Sequence, residues 1–398
     1  MKNRPRRKLR DATLLQHGAY EPRENLGHLN PPLFLDIAPV QPDVKTAAEV
    51  FAESELGFLY FRKGHPNARL LEKRLALIEG GQDALVFSSG LAATNCLLLE
   101  LAKRSQRIVA QQSLYGGSFA VMAKDLTDAG RSVRFVKNPL DYDEWYKAVD
   151  ELTKVMWVEM PSNPTIGVVD LERLAKLAKE KGALLIVDNT FAPLIFKPLS
   201  WGADIVLRSG SKYENPGNTS GYGIVIGPRA VLNPIRSGRY ERLGAPASAF
   251  DCWLAELGLR TLELRMRRHS DSAYAISDWL AQRPEVEKVH YPGLPESLYY
   301  DLAKKYLPLG CGGILAFELR GNSGKCRRFI EALEIFKHVV SLGDTRSLVT
   351  YPTLTTHSKA TPEQRTEMGI PDTMIRLSIG LEDPEDLIAD LEQALEKI

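Results

Sequence analysis

The sequence predicts an α/β fold: a mostly parallel sheet covered by helices, followed by a C-terminal α+β domain. Between residues ~60 and ~240, short continuous apolar strands alternate with helical stretches, the pattern of a sheet buried on both faces. Beyond residue ~285, short strands and helices mix without that strict alternation. Scale is the third observation. A chain of 398 residues suits two domains, and 44% hydrophobic with 25% charged residues excludes wholesale disorder.

The elements follow in order. Residues 1–50 read as an irregular arm, because Pro22, Pro31, Pro32, Pro39 and Pro42 interrupt every candidate helix. In ARLLEKRLALIEGG (68–81), Leu70, Leu71, Leu75 and Ile78 recur at helical spacing, and Gly80-Gly81 ends the helix. ALVFSS (84–89) is a short buried strand, and GLAATNCLLLELAKR (90–104) a helix opening on Ser88-Ser89-Gly90. Strands RIVAQQ (107–112) and SVRFV (132–136) flank the helix GGSFAVMAKDLTDAG (116–130). KVMWVEM (154–160) and ALLIVDN (183–189) flank DLERLAKLAKEKG (170–182), and ADIVLRS (203–209) and GYGIVIG (221–227) close the series. Residues 250–284 read as a long helix with a bend. GGILAFEL (312–319) and DTMIRLSI (372–379) are strands of the second domain, and DPEDLIADLEQALEK is its closing helix.

Composition excludes several function classes. Lys plus Arg number 51 and Asp plus Glu 50, a net charge of +1, which argues against a nucleic-acid wrapper. Mean hydropathy is −0.20, and the lack of an apolar run of about 18 residues argues against a transmembrane helix. Cys96, Cys252, Cys311 and Cys326 are scattered, forming neither a disulfide framework nor a metal site, as expected of a cytoplasmic protein. The start MKNRPRRKLR is basic but lacks the apolar core of a secretory signal; a solvated arm is the expectation.

In open α/β sheets, ligands bind beyond the carboxyl ends of the strands. Past the first strand come Ser88, Ser89 and Gly90 at a helix start, where free N–H groups suit a phosphate; the same residues also make an ordinary helix cap. Past the others come Tyr115, then Ser162-Asn163, then Asp188, then Ser209-Gly210-Ser211-Lys212. A carboxylate at a buried strand end needs a partner, and an Asp188–Lys212 ion pair alone meets that need. The whole constellation meets a larger one. A phosphate cradle, a carboxylate, a strand-end lysine between two serines and an aromatic ring are what pyridoxal 5'-phosphate requires.

The segment EMPSNPTIGVVDLERLAKLAKEKGALLIVDNTFAPLIFKPLSWGADIVLRSGSKY (159–213) resembles the Cys/Met-metabolism, or trans-sulfuration, family of fold-type-I pyridoxal phosphate enzymes. YFRKGHPNARLLE (60–72), LVFSSGLAATN (85–95), SLYGGSF (113–119), SLGDTRSLVTYPTLTTH (341–357) and MIRLSIGLEDPEDLIADLEQAL (374–395) match in family order. The resemblance implies that Lys212 holds the cofactor covalently and shuttles protons, that Asp188 pairs with the ring nitrogen, and that Tyr115 stacks on the ring and assists proton transfer. Asn163 would bond the ring hydroxyl and contact substrate; Ser89, Gly90, the Leu91 N–H, Ser209 and Ser211 would bind phosphate. Arg376, helped by Ser341, would clamp the substrate α-carboxylate, and Tyr60 and Arg62 would reach the phosphate in a neighbouring subunit's site. That implies a homodimer or homotetramer with shared sites: an arm over 1–59, a cofactor domain over 60–249, and an α+β domain over 250–398.

The chain departs from the family pattern at four places. YFRKGHPN (60–67) stands where YSRxGNPT is usual, keeping the tyrosine–arginine pair while the following turn differs. PGNT (216–219) stands where GHSD is usual, in a loop expected near the cofactor. Gly117 replaces the cysteine usual in methionine γ-lyases, and Arg346 within GDTRSL looks more like the sulfhydrylases. The resemblance therefore favours γ-replacement on an O-acylhomoserine by a sulfur nucleophile, of the sulfhydrylase or cystathionine γ-synthase type. The alternative is a γ- or β-lyase releasing 2-oxo acid, ammonia and thiol from cystathionine or methionine. A non-catalytic relative acting through a protein partner has only the altered loop in its favour, and a dehydrogenase lacks a GxGxxG after the first strand.

Overall fold

The computed structural model describes residues 9–52, 57–215, 217–358 and 360–398; the first eight residues of the basic start and Pro216 lie outside them. Seven strands form the first sheet: β1 (Asp83–Phe87), β2 (Arg107–Gln111), β3 (Ser132–Val136), β4 (Thr153–Glu159), β5 (Leu184–Asp188), β6 (Ile205–Ser209) and β7 (Gly223–Gly227). Their order is β1-β7-β6-β5-β4-β2-β3, and only β7 runs antiparallel to its neighbours. The mostly parallel sheet is therefore present.

Alternation along the strands explains why it forms. Met156, Val158, Leu185, Val187, Ile224 and Ile226 face one apolar core, while Val155, Trp157, Ile186, Leu207 and Val225 face another. Side chains at successive positions point to opposite faces, so a strand apolar throughout needs cover on both sides. The first core runs on into the second sheet through Leu315, Phe317 and Leu377. That sheet comprises β8 (Val286–His290), β9 (Ile314–Leu319), β10 (Lys337–His338), β11 (Leu348–Thr350) and β12 (Met374–Ser378), ordered β10-β11-β12-β9-β8 and largely antiparallel. The second, α+β part is thus as expected.

The arm corrects the sequence reading. Helices occupy Asp11–His17 and Val44–Ala52, ahead of Pro22 and after Pro42, so the prolines bound these helices rather than abolish them. The long C-terminal helix divides into Ala249–Leu259 and Leu262–Ala281, a break within the stretch read as a bent helix.

The carboxyl ends of β1, β2, β4, β5 and β6 share one rim, because these strands run parallel once β7 is counted out. Gly223, which opens β7, lies under this rim. A Cβ there would come within 2.3 Å of the Ser89 carbonyl oxygen, so only glycine lets the turn into the helix Gly90–Leu101 cross the strand.

Candidate active site

A cavity of about 360 Å³ opens on the rim, within the ~300–1,000 Å³ typical of small-ligand sites. Its wall includes Ser89, Gly90, Leu91, Tyr115, Asn163, Asp188, Ser209, Ser211, Lys212, Ser341 and Arg376. Eleven candidates spread over nearly 290 positions thus meet around one space. Tyr60 and Arg62 do not join them; the Arg62 guanidinium lies over the Tyr60 ring, 4.6 Å from its centroid, away from this wall.

At one end, the Ser89 hydroxyl caps the helix Gly90–Leu101 by accepting from Ala92 N at 3.1 Å. The cap reading and the cradle reading are compatible, since the cap leaves the first N–H groups of the helix at the cavity. Ser209 lines the same end. The Ser211 hydroxyl also lines it, yet it is engaged with the Tyr222 backbone, donating to its carbonyl at 3.2 Å and accepting from its N–H at 2.9 Å.

Deeper in, Asp188 Oδ1 accepts from the Thr190 hydroxyl at 2.6 Å and the Thr190 N–H at 3.1 Å. Burial pushes this acid up to about 6 against those two donors. A cation beside it would reverse that cost. Lys212 Nζ donates to Ser341 Oγ at 3.2 Å, and burial, then the Arg376 charge, pulls the amine down to about 8. A lysine so placed carries an appreciable neutral fraction near neutral pH and is a competent nucleophile.

Arg376 is 2% exposed and half-committed. It donates to Asn163 Oδ1 at 3.0 Å, to the Ser341 carbonyl at 3.0 Å and to Thr350 Oγ1 at 3.2 Å, while its buried Nε has no partner among the described residues. Arg376 lines the cavity, where a guanidinium suits a carboxylate that arrives with substrate.

Gly117 matters sterically. A Cβ at this position would stand 2.5 Å from Tyr115 Cε1, so the Tyr115 ring occupies space that a larger residue 117 would claim. The altered loop is less central than expected. Asn215 Oδ1 accepts from Thr219 N and Oγ1 at 3.1 and 2.7 Å, and neither Asn215 nor residues 217–220 line the cavity. Arg346 likewise turns away, its Nε bonded to Asp344 Oδ1 at 3.2 Å and its side chain 68% exposed. Phe191, Val340, Leu342 and Thr356 line the cavity as well.

Sequence reasoning passed over two polar groups. Thr190 anchors Asp188, and the signal was an Asp-x-Thr turn just past a strand. Glu159 lines the cavity at the end of β4, the same kind of position that drew attention to Asp188 one strand over.

A buried acid, an amine depressed by burial and the start of a helix with free N–H groups line one cavity, and these residues fit pyridoxal 5'-phosphate. The chain belongs to the Cys/Met metabolism PLP-dependent enzyme family, which it matches over residues 12–396. It is 38% identical over 386 residues to an L-methionine gamma-lyase of Pseudomonas putida, covering 96% of each chain. It is 36% identical to O-acetyl-L-homoserine sulfhydrylase 1 of Thermus thermophilus, covering 97% of this chain and 100% of that one. A solved chain from Campylobacter jejuni that contains N'-pyridoxyl-lysine-5'-monophosphate is similar at a TM-score of 0.94 and 30% identity, covering 98% and 100%. The chain is a pyridoxal phosphate enzyme of fold type I.

Proposed function

We propose that this enzyme replaces the γ-substituent of an O-acylhomoserine with a sulfur nucleophile. One observation carries the choice: among the described residues the charged side chains on the cavity wall are Glu159, Asp188, Lys212 and Arg376, all given roles below, and Phe191, Leu207, Val340 and Leu342 add apolar surface to it. Such a wall suits an uncharged ester and a small thiol better than the distal ammonium and carboxylate of cystathionine. The sulfhydrylase relatives support this reading. The methionine γ-lyase relatives support a second, since the lining disfavours cystathionine but admits methionine; Gly117, standing where such lyases usually carry cysteine, favours the first.

When bound, pyridoxal 5'-phosphate supplies an aldehyde that captures amines and a cationic ring that stabilises negative charge at Cα. Asp188 would hold the ring nitrogen protonated, and the N–H groups of Gly90 and Leu91 with Ser209 would take the phosphate. Arg376 would bind the substrate α-carboxylate. Lys212 Nζ would remove the Cα proton and then a Cβ proton, and Tyr115 would shield these transfers from water. The C–O bond at Cγ breaks with release of the acyl carboxylate and a C–S bond forms there; Lys212 would return one proton to Cβ and one to Cα, and the thiol's proton leaves with the carboxylate.

The assay is a panel. Thioether formation from O-acetyl- and O-succinylhomoserine with sulfide, methanethiol or cysteine is expected to exceed 2-oxo acid release from methionine and cystathionine. Faster 2-oxo acid release from methionine would establish the lyase instead.

The proposal includes assembly: two or more copies share sites, the arm over 1–59 reaching a neighbour and bringing Tyr60 and Arg62 to its phosphate. Exposed Leu26, Leu29, Leu35, Ile37, Val40 and Val44 on that arm support it. We place the enzyme in the cytoplasm, a reading supported by four buried free cysteines; among the described residues no helix is long and apolar enough to cross a membrane.

A further inference from the structure

We propose that Glu159 is a positioning residue whose single carboxylate sets both the ring-stacking Tyr115 and the substrate-side pair Asn163–Arg376. The inference rests on the roles assigned above to those residues. β2 and β4 are neighbours in the sheet, so the loops leaving them emerge side by side on the rim. Glu159 stands at the end of β4 and is 3% exposed. Its Oε2 accepts the Tyr115 backbone N–H at 2.8 Å, and its Oε1 accepts the Asn163 backbone N–H at 2.7 Å.

The line continues on both sides. Asn163 Oδ1 receives Arg376 at 3.0 Å, so the stacking ring, the acid, the amide and the carboxylate clamp stand in series across the cavity floor. Behind them, Gln111 at the end of β2 locks the Glu159 backbone: its Nε2 donates to the Glu159 carbonyl at 3.1 Å and its Oε1 accepts the Glu159 N–H at 3.3 Å. A carboxylate bound this way cannot swing without moving both loops.

Its setting is electrostatically tense. Glu159 is the register partner of Asp188 across β4 and β5, and burial together with the Asp188 charge drives it upward, opposed by the two N–H donors and by Arg376. An acid needed only to satisfy two loop amides would be better off without a second carboxylate beside it. The placement makes sense if the geometry of Tyr115 and Asn163 is what it secures.

Glu159→Gln keeps the shape and one acceptor but turns an amide N–H toward a backbone N–H. In the holoenzyme of this variant, the visible circular dichroism of bound cofactor, which reports ring orientation, is expected to fall more than twofold. Exchange of the Cα proton of a bound amino acid into heavy water should slow about tenfold, with the melting temperature nearly unchanged. The double variant with Asn163→Ala should lose less than the sum of the two singles. A folded Glu159→Gln enzyme with wild-type dichroism and exchange would overturn the proposal. If the variant does not fold, the wild-type holoenzyme decides: amide exchange at Tyr115 and Asn163 must be as slow as in β4, and fast exchange at either refutes the bridge. None of these readouts depends on which γ-group leaves, so failure of the γ-replacement assay is a separate result.

Discussion

At the scale of single residues, the rule that ligand groups stand just past strand ends led to Asp188, Ser209, Lys212 and Tyr115, because a parallel sheet brings those positions to one rim whatever the loops do. Arg376 and Ser341 came only through the resemblance: their distance along the chain from Lys212 is closed by the second sheet, which no local pattern reveals. Glu159 was legible in principle and missed because it reads as part of the apolar strand KVMWVEM (154–160) rather than as a residue past its end. Lys212 gives the clearest test at this scale. With its amine pulled to about 8 by burial and by Arg376, covalent capture of cofactor by the cofactor-free protein should accelerate with rising pH around a midpoint near 8. The sign follows from the nucleophile being the neutral amine, which an ordinary lysine becomes only above about 10. Stopped-flow absorbance across pH 6–10 checks it, and a rate still climbing steeply past pH 10 would show the amine to be solvated. Lys212→Ala should abolish capture at every pH.

Elements were legible where periodicity was strong and blurred where context decided. The strands of the first sheet stand where their apolar runs predicted, since burial on both faces leaves no other use for such runs. The arm helices were missed because proline density was read as a property of the whole segment, although Asp11–His17 and Val44–Ala52 contain none. Among the polar contacts of the helix Leu262–Ala281, one has a consequence for pH. From this helix, buried His269 donates Nδ1–H to the Ile379 carbonyl beyond β12, leaving Nε2 buried without a hydrogen-bond partner among the described residues. Protonating Nε2 would bury a charge, which holds this imidazole down near 4. The folded pKa is thus depressed below the unfolded value of about 6.5, so the unfolded chain takes up the proton first and stability from this group is lost as pH falls from 6.5 toward 4. By pH 5 the loss is about 2 kcal/mol for this histidine. His269→Gln, which retains a donor toward Ile379, should shrink the drop in melting temperature between pH 7 and pH 5, measured by calorimetry. An unchanged drop would remove His269 from the acid response.

At the scale of the whole molecule, a single chain builds a cavity that lacks two of the groups its own sequence provides. Tyr60 and Arg62 lie off the wall of their own site, next to an arm whose large apolar side chains face outward. One chain does not bring them to the wall, and the proposal that they serve a neighbouring copy rests on the resemblance at YFRKGHPNARLLE (60–72). If the sites are shared by a two-fold pair, each site takes Lys212 from one copy and Arg62 from the other. Lys212→Ala and Arg62→Ala homodimers should then both be nearly inactive, for different reasons. Mixing and re-equilibrating equal amounts gives half the dimers as hybrids, each with one site holding both defects and one holding neither. That leaves intact about one quarter of all sites, and about one quarter of wild-type turnover should return. Recovery must follow the time course of subunit exchange, read by sedimentation of differently labelled copies. Absence of recovery in a mixture that has demonstrably exchanged would mean that Arg62 serves its own chain, and the shared-site arrangement would fall with it.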